Sequence, residues 1–164
     1  MATEFSFDVV SEYEGAELQN ALDQARREVQ TRFDFKGTDP SVELKDKTVV
    51  IEASTEDRAR AVYQVLIEKA ARRNLSTKLF QPDDPKTIGK GRGQIEVKLN
   101  AGISDELAKD LQKKLKTVSS KIQVRIQGDQ LRVTSKEKDV LQAAITLLRD
   151  DESIPVPLQF TNYR

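Results

Sequence analysis

The chain contains no cysteine and no histidine. Without cysteine there are no disulfides and no thiolate chemistry. Without histidine the commonest general base and metal ligand is missing as well. Carboxylates are plentiful, but they fall on solvated helix faces or strand exteriors, and no spacing among them implies a paired acid and base. The reading is of a non-enzymatic protein with no cofactor and no resident metal. Asp83-Asp84 and Asp150-Asp151-Glu152 are either turns or weak sites for a hard cation. Long apolar runs are lacking too: none approaches the ~20 residues that span a bilayer. The segment Met1–Phe5 has neither a basic flank nor an apolar signal core, so the expectation is a cytoplasmic protein without membrane partners. Nor is there an excess of either charge, with 27 basic and 27 acidic residues. The balance is uneven along the chain, however. Residues 86–138 hold 13 basic and 6 acidic side chains, a segment suited to phosphate-bearing ligands or simply to a solvated surface.

What the chain does have is a duplication. Residues 42–67 and 124–149 follow one pattern at an offset of 82, so that Val42, Leu44, Val49, Ile51, Ala59 and Leu66 recur as Val124, Ile126, Leu131, Val133, Leu141 and Leu148. Upstream, Phe5, Phe7 and Val9 correspond to Ile95, Val97 and Leu99 (offset 90), and Leu18 and Leu22 to Leu107 and Leu111 (offset 89). The drop from 89 to 82 gives the first copy seven extra residues, and Thr31–Gly37 lies in that gap. An insertion in one copy of a repeat is a natural place for an added task.

Each copy reads as βαββαβ. Alternation over 4–10 and 94–99 predicts half-buried strands. Leu18, Leu22, Ala25 and Val29 form the stripe of a helix beginning near Gly15, and Leu107, Leu111 and Leu115 that of a helix from Ser104. Hairpins turn at Lys45-Asp46-Lys47 and at Gly128-Asp129. Ser54 or Thr55 caps a further helix, residues 138–149 form its counterpart, and short strands near Thr77–Phe80 and 156–163 close the units. The fold class is therefore α+β, with two ferredoxin-like units whose four-stranded antiparallel sheets each carry two helices on one face. The expected division is 1–81, a linker at 82–93 rich in Pro and Gly, and 94–164. The pattern leaves open whether terminal strands are exchanged between the two sheets.

A sheet covered on one face leaves the other to water, ligand or partner. In the second copy that face should present Gln94, Glu96, Lys98, Gln123, Arg125, Gln127, Arg132, Thr134, Gln159, Thr161 and Tyr163. Cations suit phosphates, amides suit base edges, and an aromatic ring offers a stacking surface; the alternative is an ordinary solvated sheet or a polar interface. The face is not that of an RRM, because 48–52 and 131–134 contain no aromatic. In the insertion, Arg32 and Lys36 can hold phosphates while Phe33 or Phe35 either stacks on a base or anchors the loop. Gly89-Lys90-Gly91-Arg92-Gly93 offers glycines and positive charge, but it lacks the spacing of a P-loop and suits a flexible linker.

Phe5–Glu12, Thr31–Gly37, Val124–Thr134 and Pro157–Arg164 together resemble the YajQ family of bacterial proteins. The resemblance spans the whole chain. It implies two ferredoxin-like domains in a cytosolic protein that binds nucleotides, with suggested roles in nucleic-acid binding, RNA such as tRNA included, and in sensing cyclic di-GMP to control transcription. It implies no catalytic residue. The family motif matches at Arg32, Phe33, Asp34, Phe35, Lys36, Arg125, Gln127 and Arg132. The residues expected at a nucleotide site are therefore Arg32, Phe33, Phe35, Lys36, Lys98, Arg125, Gln127, Arg132 and Tyr163. The expected ligand is GTP, cyclic di-GMP or RNA, and the alternative role is a regulatory adaptor that binds a transcription regulator.

Overall fold

A computed structural model describes residues 4–32 and 39–164. In chain order the elements are β1 (Phe5–Val10), α1 (Gly15–Thr31), β2 (Ser41–Lys45), β3 (Thr48–Ala53), α2 (Glu56–Arg72), β4 (Phe80–Pro82), β5 (Lys86–Thr87), β6 (Gly93–Leu99), α3 (Asp105–Lys116), β7 (Gln123–Gln127), β8 (Gln130–Ser135), α4 (Lys138–Asp150) and β9 (Gln159–Thr161). The offset of 82 is exact for three element starts: Ser41, Thr48 and Glu56 recur as Gln123, Gln130 and Lys138.

The pairing resolves the question that alternation left open. One sheet runs β7-β8-β1-β9 and the other β2-β3-β6-β4, with β5 added beside β6. All pairings are antiparallel. Each has the ferredoxin-like order, but the first strand of each copy sits in the sheet of the other. One compact unit contains β1 together with Ala101–Arg164, and the second is Tyr13–Asn100. Contiguous boundaries at 81 and 94 are not those of the packing units. The physical reason is that β1 and β6 carry equivalent apolar faces, so either sheet can accept either strand. Phe7 and Val9 are buried with Leu111, Leu131 and Leu148 in one core, and Ile95 and Val97 with Leu22, Ile51 and Leu66 in the other.

Local chemistry explains the element ends. The Thr55 hydroxyl accepts from the backbone N–H of Arg58 and caps α2, and Ser104 does the same for α3 through Leu107. Asp46 and Gly128 adopt positive φ at the two hairpin turns. Residues 82–93 are no free linker. Lys86 and Thr87 pair with Gln94 and Gly93, Ile88 N–H donates to the Arg92 carbonyl at 2.7 Å, and the Arg92 guanidinium donates to the Asp39 carbonyl at 2.7 Å. Those bonds occupy the Gly89–Gly93 stretch in a turn between β5 and β6. Thr77–Leu79, where a strand was expected, is a 3₁₀ turn leading into β4.

Gly93 passes close to the start of α2. A Cβ there would lie 2.4 Å from the Thr55–Glu56 backbone, where α2 begins. Backbone cannot yield as a flexible side chain does. Gly93→Ala should therefore destabilise the protein by about 1–3 kcal/mol, the usual cost of overpacking. Urea denaturation measures it, and an unchanged midpoint would contradict the contact.

Candidate functional site

The helix-free face of the β7-β8-β1-β9 sheet follows directly from strand register. Arg125 pairs with Arg132, Arg132 with Asp8, and Asp8 with Thr161, forming one row across four strands. A second row holds Gln123, Thr134 and Ser6, and Arg164 joins it through two backbone hydrogen bonds with Ser6, at 3.0 and 3.1 Å. Gln127 pairs with Gln130, and Gln159 with Val10, on the same face. A concavity of about 500 Å³ lies over the first two rows, lined by Glu4, Ser6, Gln123, Arg125, Arg132, Thr134 and Arg164 among others.

Asp8 organises this face. Its residue is only 5% exposed, and its carboxylate accepts two bonds from the Arg132 guanidinium, at 3.0 and 3.3 Å, and one from the Asn162 amide at 2.9 Å. The hydrogen bonds from Arg132 hold the Asp8 carboxyl below its usual value; burial opposes this, and Asn162 adds to the lowering. Arg132 is one-third exposed (33%), so one side of its guanidinium is spent on Asp8 while the rest meets solvent. Arg125 makes no ion pair among the described residues. Arg164 contributes a Coulombic attraction to Asp8.

Asn162 also breaks the alternation of the last strand. Thr161 is opposite Asp8 and Arg164 is opposite Ser6, so Phe7 faces two residues, Asn162 and Tyr163. This is a β-bulge with its extra residue at positive φ (57°). The bulge shifts the parity by one. Arg164 arrives on the helix-free face, and Tyr163 falls on the opposite side, with its ring 6.3 Å from that of Phe7. Tyr163 therefore does not belong to the open polar face on which strict alternation placed it. A two-residue period has no means of registering a bulge, although the asparagine is a residue type that tolerates positive φ.

The other expected residues separate. Arg125, Gln127 and Arg132 lie together on this face, as do Gln123, Thr134, Gln159 and Thr161. Gln94, Glu96 and Lys98 lie on β6 and so belong to the other sheet, where Lys98 is in register with Thr48 and Gln81. Strand exchange moved them. That second face is mixed in charge: Glu52 accepts from the Gln94 amide at 3.1 Å, and Lys86 lies 3.5 Å from Glu96. Arg32 follows α1 in the same unit, 3.7 Å from Glu28, and Glu28 accepts from Lys69 at 2.9 Å. That bond with Lys69 is the main cause of the lowered Glu28 pKa. Phe33, Asp34, Phe35, Lys36 and Gly37 lie outside the described residues. Arg164 was missed by pattern reading, and its signal was the Asn162 preceding it by two.

Of the acidic runs, Asp151 is engaged as a turn: it accepts from Lys114 and from the Ser153 N–H and hydroxyl. Among the described residues no cluster of three or more acidic side chains is placed to hold a metal ion. No helix there is long and apolar enough to cross a membrane.

Residues 5–164 match the model of the family described as "Nucleotide-binding protein YajQ-like". The chain belongs to the YajQ-like family. Similar proteins, each named "Nucleotide-binding protein", come from Chloroflexus aggregans, with 49% identity over 165 residues, and Trichodesmium erythraeum, with 46% over 164. A protein of Synechococcus elongatus is also 46% identical and is named "Nucleotide-binding protein Synpcc7942_0865". Each match covers 100% of both chains. The family match extends through the sheet face just described, from β1 to Arg164.

Asp8 yields a prediction with a definite sign. Its folded pKa lies below the ordinary 3.8, so its stabilisation is fully present only well above pH 3.8. That stabilisation is lost as the pH falls through and below 3.8. Asp8→Asn should cost about 1–2 kcal/mol at pH 7, less than breaking a fully buried pair because Arg132 still reaches water. The gap between variant and parent should be narrower at pH 3 than at pH 7. Urea melts at both values test it, and an equal gap at each would contradict the assignment.

Proposed function

We propose that the helix-free face of the β7-β8-β1-β9 sheet binds the phosphate groups of a nucleotide, with Arg125, Arg132 and Arg164 as its cations. The observation that supports this most strongly is the convergence of three arginines from three segments of chain on one concavity, in a protein of the YajQ-like family. Arginine offers a planar fork of donors matched to phosphate oxygens. Arg132, held by Asp8, is preorganised, and a preorganised donor loses less freedom on binding. Glutamine and threonine side chains around the arginines suit ribose and base-edge hydroxyls and amides.

The protein acts as a binding module rather than an enzyme in this reading. A nucleotide is favoured over single-stranded RNA because RNA binders of the stacking type line such a face with aromatic rings. Here the face carries arginine, glutamine, threonine and serine, with Glu4 also lining the concavity and Asp8 paired to Arg132. Arg32, Lys36 and Lys98 belong to the other unit's sequence; Arg32→Ala, Lys36→Ala and Lys98→Ala test their contributions separately.

Arg125→Ala should weaken binding roughly tenfold or more, the worth of a hydrogen bond to a charged group. Titration calorimetry with GTP, cyclic di-GMP, tRNA and random RNA at two salt concentrations makes the comparison. A mononucleotide should show a shallow dependence on salt and an RNA a steep one. Unchanged affinity for every ligand, with unchanged melting, would dismiss the site.

A further inference from the structure

A second concavity, of about 230 Å³, lies on the helix-covered side of the same sheet, between β1, α4 and the end of the chain's last strand. Its lining combines apolar Leu141 and Ile145, the rings of Phe5, Phe7 and Tyr163, and the polar groups of Lys138 and Gln142. Ser6 and Arg164 line both this pocket and the arginine-lined concavity. The two depressions therefore meet at the end of the sheet where Ser6 and Arg164 pair.

We propose that this pocket takes the base of the nucleotide whose phosphates lie on the arginine face. The inference rests on the phosphate-binding reading of that face and assigns the missing half of the ligand. A base needs an apolar surface, a ring to lie against and polar groups at its edge. Tyr163 supplies the ring. It is 60% exposed, and Phe7 supports it from within, 6.3 Å away at an interplanar angle of 33°. Gln142 brings an amide that both donates and accepts, and Lys138 brings further donors.

The Asn162 bulge decides which side chain serves which side, placing Arg164 on the open face and Tyr163 on the covered one. Consecutive Cα atoms are about 3.8 Å apart, and in a regular strand successive side chains serve opposite faces with no shared edge at a sheet interior. Here the strand ends at Thr161, so Tyr163 and Arg164 stand at the sheet margin. A ring on one side and a guanidinium on the other then lie within reach of a single small molecule passing around that margin. The open face has cations without a ring, and this pocket has a ring beside those cations.

The test compares the four ribonucleoside triphosphates with inorganic triphosphate, which has phosphates and no base. The parent protein should bind at least one nucleotide more tightly than inorganic triphosphate. Tyr163→Ala and, independently, Gln142→Ala should lower nucleotide affinity, Tyr163→Ala by roughly tenfold or more, and leave inorganic triphosphate unchanged. Tyr163→Phe should retain most of the affinity. Arg125→Ala should weaken both kinds of ligand. Both side chains are exposed, so circular dichroism and melting should match the parent. If Arg125→Ala weakens nucleotides while Tyr163→Ala and Gln142→Ala do not, the base pocket is overturned and the phosphate face stands. If inorganic triphosphate binds as tightly as every nucleotide, the base pocket is likewise overturned. If the parent binds none of these probes, or Arg125→Ala changes nothing, both readings fall.

Discussion

A single buried carboxylate ties together the parts of the open sheet face. Asp8 on β1 receives Arg132 from β8 on one side and Asn162 from beyond β9 on the other. An unpaired carboxylate at such a position would be costly, and a paired one with its lone pairs occupied is tolerated. Those partners have structural consequences. Arg132 is held flat across the strands, beside Arg125. Asn162 is held in the left-handed conformation that bulges the last strand and returns Arg164 to Ser6. Two of the three arginines on the face thus owe their placement to the same acid. One negative charge beneath the face fixes where Arg132 and Arg164 stand.

The exchange of first strands is the second organising fact. β1 supplies Phe7 and Val9 to a core otherwise built from residues beyond 100, and β6 supplies Ile95 and Val97 to a core built mainly from residues before it. Gly93 starts β6 at the only kind of residue that lets the strand pass so near the first turn of α2. The duplicated pattern makes the exchange energetically even: each strand buries an equivalent apolar stripe wherever it pairs, so hydrophobic transfer does not favour one arrangement. Connection geometry and residues such as Gly93 then distinguish the two.

Much of this was legible in the sequence because it depends on local periodicity. The four helices, the two hairpins and the ferredoxin-like order follow from spacings of two and of three to four. So does the gathering of Arg125, Gln127 and Arg132 with Thr134. The sequence narrows the cap of α2 only to Ser54 or Thr55. Lys98 and Tyr163 were misplaced for different reasons. Lys98 points to the polar side of its strand as alternation requires, but strand partners are set by nonlocal packing that alternation does not encode. Tyr163 was displaced by one residue of bulge, a backbone event visible only through Asn162. The stretch 82–93 misled by composition: its prolines and glycines mark turns as readily as tethers, and the backbone bonds that make it a hairpin involve no distinctive side chain.

Interlacing of the two copies ties their fates together. The β2-β3-β6-β4 sheet without β6 loses the neighbour of both β3 and β4, and the β7-β8-β1-β9 sheet without β1 loses the neighbour of both β8 and β9. A premature stop or a protease nick followed by separation near residue 85 would therefore spare neither half. Each fragment would keep a first strand cut off from the rest of its sheet and a gap in the middle of its own sheet. Neither copy of the pattern completes a sheet with its own strands, so neither is a separable module.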